Sequence, residues 1–335
     1  MQFQLPIQIK SPEKQINYRD KILLIGSCFT EHIGNSLGEL KFSTLQNPNG
    51  ILFDPRSVCK SLVSYIENKQ YKKEDLFYLN EIWNSWEHHS RFSNINADEA
   101  LKIINGSQQQ AYIFLKDADW LIITLGSSFS YRLTDLTRQP PLQKERGSAG
   151  VANCHRAPSQ WFNKHLLTID ETISLLDTTY HRLKQFNPKL KIIFTVSPVR
   201  HIRDGVIENN RSKARLIEAI HHMINKFPGL HYFPAYELVI DVLRDYRFYD
   251  VDMVHPNYPA TEFVMEKFRE NFIDEGSQQL MEEIRKIVIA RKHKPFFPET
   301  SAHKAFLKNH FQKTKELGNK YPFINFIEEL EYFNS

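Results

Sequence analysis

Two short stretches carry residue types whose order suits covalent chemistry. Ile25-Gly26-Ser27-Cys28-Phe29-Thr30 closes a short apolar run that begins at Ile22, and Ile33, Leu37 and Leu40 follow it at helical spacing. A strand, a tight turn and a helix in that order set a side chain at the carboxyl edge of a sheet. They also aim the helix's N-terminal amides at it, which lowers a thiol's pKa and offers a place for an oxyanion. Ser27 and Cys28 are the candidate nucleophiles of that turn. Far along the chain stands Asp252-Met253-Val254-His255-Pro256-Asn257. On one tight loop Asp252 can fix the tautomer of His255 while the other ring nitrogen faces a nucleophile, the acid and base parts of a triad.

For these residues to meet, a sheet must carry both to one edge. Ile22 to Ile25, Trp120 to Leu125, Lys191 to Val196 and Leu230 to Phe233 read as strands buried on both faces, with a fifth around Phe42 to Leu45. Helices are expected from Pro55, capped by Asp54, through Val58, Leu62 and Ile66, then over Ala97 to Leu115, Asp170 to Phe186, Asn210 to Phe227 and Tyr236 to Arg247. Right-handed crossovers turn this alternation into an open, mostly parallel, doubly wound α/β sheet. Two stretches break the rhythm and read as insertions at the loop end: about 78–93, rich in Trp and His, and about 131–167, polar with Pro140-Pro141. Residues 1–275 then form the α/β domain, and 276–335 a helical appendage, Gln278 to Lys292 and His303 to Leu317 joined by KPFFPET.

Within the first insertion Trp83, Trp86, His88, His89 and Phe92 could line a sugar or acyl pocket, or simply pack the insertion down. Neighbouring histidines on a strand point opposite ways, so His89 is taken as the one facing the pocket. Asn153 and His155 are candidates of the same kind. Arg200 and His201 follow the Lys191 to Val196 strand, where an anion could be held, or are simply solvated. Cys59 sits in an apolar helix stripe and reads as core.

Composition narrows the classes. The 335 residues are 41% hydrophobic and 24% charged, and 43 Lys and Arg against 39 Asp and Glu leave a net +4. That charge lacks the clustered basic footprint of a nucleic-acid or membrane-surface protein, and neither partner is expected. Three cysteines, Cys28, Cys59 and Cys154, make no disulfide framework and no CxxC zinc pair, which suits a reducing, cytoplasmic setting. No signal peptide or membrane-spanning apolar run is expected. Without HxxxH, HExxH, GxGxxG or GxxxxGK, neither a metal nor another cofactor is expected. Oligomeric state is not legible.

GSCF after the first strand and DxxHPN late in the domain resemble the GSCFA family, itself placed among the SGNH (GDSL-like) hydrolases. Further segments carry the likeness: Asn47-Pro48-Asn49-Gly50-Ile51-Leu52, Ser85-Trp86-Glu87-His88-His89-Ser90-Arg91-Phe92-Ser93, Asn153-Cys154-His155-Arg156, Ser197-Pro198-Val199-Arg200-His201 and Asp245-Tyr246-Arg247-Phe248-Tyr249. The resemblance runs from about residue 20 to 272. It implies a flavodoxin-like, three-layer α/β/α SGNH-hydrolase fold, a nucleophile in the first block, a glycine and an asparagine completing the oxyanion hole, and DxxH last. The family's Gly-Asp-Ser register sets Cys28 at the nucleophile position and Ser27 in the aspartate's place, so the register favours Cys28, with Ser27 the alternative. The third block, Gly-x-Asn-Asp, meets Gly126-Ser127-Ser128-Phe129 here, which has no asparagine; Asn153, His89 or Ser128 are the substitutes, and Gly50 is the second-block glycine. The function implied is a hydrolase or acyltransferase on an ester or thioester, with an acylated carbohydrate among the candidate substrates. The rival is a binding protein on a hydrolase fold that has lost turnover, motivated by the missing asparagine.

Overall fold

A computed structural model describes residues 5–134 and 150–334. In chain order the strands are β1 (Lys21–Gly26), β2 (Ser43–Gln46), β3 (Phe77–Leu79), β4 (Ile82–Asn84), β5 (Trp120–Leu125), β6 (Phe129–Leu133), β7 (Gly150–Val151), β8 (Phe162–Leu166), β9 (Lys191–Val196) and β10 (Leu230–Tyr232). The helices are α1 (Cys28–Glu39), α2 (Pro55–Glu67), α3 (Ala97–Asp117), α4 (Ile169–Phe186), α5 (Val206–Lys226), α6 (Ala235–Glu237), α7 (Tyr258–Phe272), α8 (Glu275–Lys292), α9 (Ser301–Lys320) and α10 (Ile327–Phe333).

The central sheet runs β10-β9-β5-β1-β2 with every pair parallel. Numbered along the chain, its strands lie 2-1-3-4-5, the flavodoxin-like order, and the switch point falls between β1 and β5. Ligands of open α/β sheets bind outside the carboxyl ends of the strands at such a point. Ser27 and Gly126 are the residues that leave those two strands there.

The near-continuous apolar strands follow from cover on both faces. Leu23, Ile25, Leu121, Ile123, Ile192 and Phe194 face one way, against Val58 and Leu62 of α2, Leu115 of α3, Leu183 of α4 and Leu216 of α5. Ile22, Leu24, Ile122 and Ile193 face the other way, against Phe29, Ile33 and Leu37 of α1 and Val264 and Phe268 of α7. Three layers result. Each of the α1 side chains stabilises the fold by about 1.5–3 kcal/mol through burial. Caps start the helices where the sequence signals them: Asp54 accepts from Ser57 N at 3.1 Å, Thr168 and Glu171 form a capping box, and Asn257 accepts from Ala260 N at 3.3 Å.

The appendage expected at the C-terminus shares a core with the sheet. Leu280 and Ile284 of α8, Leu317 of α9 and Phe333 of α10 join the apolar cluster of α1 and α7. Glu329 of α10 is fully buried and ion-paired to Lys41 at 2.8 Å and Arg291 at 3.3 Å. No described helix is long and apolar enough to cross a membrane.

Three elements differ from the sequence reading. The helix expected over Tyr236 to Arg247 is α6 running on as a π-helical stretch, Leu238–Leu243. It stops at Arg244, whose φ of +42° and whose N–H turned back to Val239 O end the helix. The 78–93 insertion overlaps the antiparallel hairpin β3–β4, and the 131–167 insertion supplies most of a second small sheet, β7-β6-β8. There Phe129, Tyr131 and Leu133 alternate along β6 and pair with β8, a period-2 signal concealed by the polar residues around it. Pro140-Pro141 lies outside the described residues.

Candidate active site

Gly26 ends β1 at a φ of +148°, and a Cβ there would stand 2.2 Å from Thr124 O of β5. Only glycine lets the chain turn that tightly against its neighbour. The turn is pinned by Asn47 Oδ1 accepting from Gly26 N at 2.9 Å and by Ser27 N donating to Thr124 O at 3.1 Å. Ser27 is 2% exposed, and its hydroxyl caps α1 by accepting from Phe29 N at 3.3 Å. Cys28 is the first residue of α1 and is half-buried. Burial pushes its thiol up; the Phe29 and Cys28 amides pull it down, as does the positive charge of Lys213, and Glu31 pushes it up.

The Asp252–His255 loop has the geometry of a paired acid and base. Asp252 Oδ2 meets His255 Nδ1 at 2.6 Å, while Oδ1 accepts from Val254 N at 2.9 Å and His255 N at 3.0 Å. These bonds, those from His255 foremost, hold the carboxyl down to about 2. Facing an ionised carboxylate, Nδ1 carries the ring proton and Nε2 is left with a lone pair. Arg200 secures the loop: its N donates to Val254 O at 3.1 Å, its Nη1 to Met253 O at 3.0 Å, and its guanidinium lies 3.9 Å from the centre of the Tyr249 ring. Met253, at a φ of +58°, makes the reversal between Asp252 and His255.

His255 also acts on two other histidines. His32 is lowered by burial and then by His255. It lies four residues after Cys28, on the same face of α1. His201 is lowered to about 3 by burial, then by Lys213 and His255. His201 in turn adjoins the Ser27 turn through Gly126: a Cβ on Gly126 would stand 2.9 Å from His201 Nε2 and 3.4 Å from Ser27 Cβ.

Beneath this edge lies Lys213 of α5, fully buried and, among the described residues, without a carboxylate partner. Its Nζ donates to Gly126 O and to Ser197 O, each at 2.6 Å, tying the ends of β5 and β9 together. Burial pulls its ammonium down to about 7, with Cys28 pulling the other way. Phe53 completes the rim. Its carbonyl accepts from Gly126 N at 2.8 Å and Ser127 N at 3.1 Å, and its ring centre lies 4.8 Å from that of His201.

The remaining candidates fall into other settings. Gly50 N closes a turn onto Asn47 O at 2.7 Å, and a Cβ on Gly50 would stand 2.2 Å from His89 Cβ. His89 caps a 3-10 turn, Nδ1 accepting from Arg91 N at 3.3 Å, so it is not on a strand. His88 is the buried one of that pair, bonded to Ser85 Oγ at 2.9 Å. Asn153 Oδ1 accepts from His155 N at 2.8 Å, and His155 Nε2 donates to Ser85 O at 2.8 Å in a corner walled by Phe77 and Trp86. Ser128 is wholly buried, with its N–H and hydroxyl both donating to Ser212, at 2.7 and 2.8 Å. Among the described residues no three His, Cys, Asp or Glu side chains gather to hold a metal ion.

His32 and Lys213 were not among the residues singled out in the sequence. Each has a local signal: His32 by its i, i+4 spacing from Cys28, and Lys213 as a lysine set in the stripe Lys213, Leu216, Ile220, Met223.

The GSCFA family profile matches residues 21–268, and that of the GSCFA domain protein, C-terminal domain, matches 284–335. No curated protein matches the chain. Among solved structures, a carbohydrate esterase family 3 from Talaromyces cellulolyticus is similar at 8% identity and a TM-score of 0.37, covering 80% of this chain and 99% of that one. An acetyl xylan esterase from the rumen bacterium Butyrivibrio proteoclasticus is similar at 12% identity and 0.35, covering 76% and 64%. At those scores neither carries an argument about this chain.

Proposed function

The chain belongs to the GSCFA family, and from that premise we propose that it is an SGNH-like acyl-transfer enzyme, a hydrolase or acyltransferase on an ester or thioester, with Cys28 as nucleophile. The observation that carries this reading is the 2.6 Å Asp252–His255 bond. Ser27 supports Cys28 instead of competing with it, because its hydroxyl is buried and engaged as the cap of α1.

In this mechanism His255 Nε2 takes the Cys28 proton and the Sγ lone pair forms a bond to the substrate's carbonyl carbon. The C=O π pair moves onto oxygen, where the Cys28 amide at the start of α1 stabilises it. When the carbonyl re-forms, the leaving oxygen or sulfur departs with its bonding pair and takes the proton from His255. Water or an acceptor hydroxyl then attacks the Cys28 thioester, giving its proton to His255; as the carbonyl re-forms, the C–S bond breaks and Sγ leaves with the bonding pair and regains a proton from His255. Asp252 holds the imidazole in its Nδ1–H tautomer and stabilises the imidazolium. Arg200 fixes the loop and with it the reach of His255.

Intact-mass spectrometry after brief exposure to p-nitrophenyl acetate, followed by an acetylated sugar, tests this. The acyl adduct is expected on the unsubstituted protein and on Ser27→Ala, and is expected to vanish in Cys28→Ala and His255→Ala. An adduct lost only in Ser27→Ala would move the nucleophile back one residue. No adduct with either ester on a folded protein would favour the binding-protein reading.

A further inference from the structure

An acyl-transfer site needs more than one donor for its oxyanion, and most donors around the Cys28 turn are already engaged. Gly50 N is bonded to Asn47 O, Gly126 N and Ser127 N to Phe53 O, and Ser128 N and Oγ to Ser212. Lys213 Nζ serves the carbonyls of Gly126 and Ser197. Among the described residues, Nε2 of His201 is buried at this edge with no hydrogen-bond partner, as are the hydroxyls of Thr30 and Thr124. Because Gly126 has no side chain, the imidazole packs close to the nucleophile turn: a Cβ on Gly126 would stand 2.9 Å from Nε2 of His201, 2.9 Å from Phe53 Cβ and 3.4 Å from Ser27 Cβ.

We propose that His201, through an Nε2–H, is the second oxyanion donor of the site, a role that rests on the acyl-transfer reading given above. The imidazole is placed for it by three contacts. His201 N donates to Asn209 Oδ1 at 2.8 Å, the ring lies beside Phe53, and Nε2 packs against Gly126, which has no Cβ to hold it off. Burial, with Lys213 and His255 adding to it, keeps the ring neutral, so it donates without competing with His255 as a base.

Energetically, a buried donor without a partner disfavours the free enzyme. That penalty ends when a negative oxygen comes within reach of Nε2. Such an interaction is made in the transition state and not before it, and therefore acts on the rate of the chemical step. When Sγ bonds to the carbonyl carbon, the displaced π pair comes to rest on an oxygen held between the Cys28 amide and His201 Nε2–H. No proton is transferred to it, and the pair returns to the carbonyl as the leaving group departs.

The test compares two reactions of the same thiol. Acetylation of Cys28 by p-nitrophenyl acetate builds an oxyanion; alkylation by iodoacetamide displaces iodide at a saturated carbon and builds none. His201→Phe is expected to slow acetylation by about 10²–10³-fold and to leave alkylation unchanged. His201→Gln, which restores an N–H donor, is expected to recover part of the acetylation rate. Acetylation of His201→Phe at the rate of the unsubstituted protein overturns the proposal. So does an equal fall in both reactions for both variants, which would mean that His201 acts on the thiol or on the fold. An unsubstituted protein whose Cys28 is alkylated and never acetylated overturns the acyl-transfer reading itself, and this role with it.

Discussion

Asp252→Asn separates the geometric part of the Asp252–His255 pair from its chemical part. The carboxylate accepts three hydrogen bonds, two amides on Oδ1 at 2.9 and 3.0 Å and the imidazole Nδ1–H on Oδ2 at 2.6 Å. Asparagine keeps an oxygen for the two amides, so the loop retains its turn. At the third position it presents an NH2 group, and two donors cannot face each other at that distance. The ring must then shift its proton to Nε2, leaving no lone pair for Cys28. In a serine-protease triad the same exchange, with geometry intact, costs about 10⁴ in kcat, and a loss of that order is expected here. The assay is single-turnover acetylation of Cys28 by p-nitrophenyl acetate, with thermal unfolding as the control for fold. Asp252 lies on an exposed loop, so Tm should stay put. Because its carboxyl is held at about 2, it is ionised above about pH 4, and the rate ratio of the two proteins should not change there on its account. A folded Asp252→Asn that acetylates within tenfold of the unsubstituted protein, while His255→Ala does not acetylate, would refute this reasoning: the imidazole would then not depend on the carboxylate for its tautomer.

Lys213→Met strips Gly126 O and Ser197 O of their donor, and at about 1–3 kcal/mol for each buried group left unpaired denaturant titration should show a loss of stability. The same variant should alter pH dependence. Lys213 binds its proton at 10.5 unfolded and about 7 folded, so its depressed value removes stability as pH falls from about 10 through 7, and this part of the slope should be missing from Lys213→Met. His88 is lowered from 6.5 to about 3, chiefly by burial. Stability tied to its neutral ring is complete above 6.5 and should be lost on acidification at up to about 1.4 kcal/mol per pH unit, a slope that denaturation of His88→Asn at several pH values should find shallower. Lys41→Ala leaves the buried Glu329 with Arg291 alone, and a loss of about 3–5 kcal/mol is expected; a calorimetric Tm equal to that of the unsubstituted protein would show that Arg291 suffices.

The central architecture is legible in the sequence because strands covered on both faces must be apolar along their whole length, and WLIITL or KIIFTV have few alternatives. The caps Asp54 and Asn96 mark helix starts for a similarly local reason: the orphan amides of a first turn need an oxygen. What is not legible depends on partners far along the chain. The break at Arg244 is a backbone event inside a continuous apolar pattern. The strands β6 and β8 carry a weak alternation that only their pairing makes visible. At the candidate site, Asp252 and His255 form the bond expected from their spacing, since three residues on one loop suffice. The surroundings of His201 arise from four separate segments, ending at Ser27, Phe53, Gly126 and His201 itself, and no local pattern predicts that convergence. Arg200 shows the same limit: its place after β9 suggested a grip on an anion, and it holds the Met253 carbonyl.

The shared core of α1, α7 and the last three helices bears on how the protein is made. Cys28 emerges from the ribosome early, on a helix whose apolar face, Phe29, Ile33 and Leu37, belongs to a cluster that extends to Phe333. β1 itself waits for β5, about a hundred residues later, before both of its edges are paired. Contacts of such long sequence separation form slowly and leave apolar surface uncovered in the meantime. During translation the Cys28 thiol therefore sits on an unroofed helix, open to oxidants and electrophiles until α8 to α10 close over the layer that carries it.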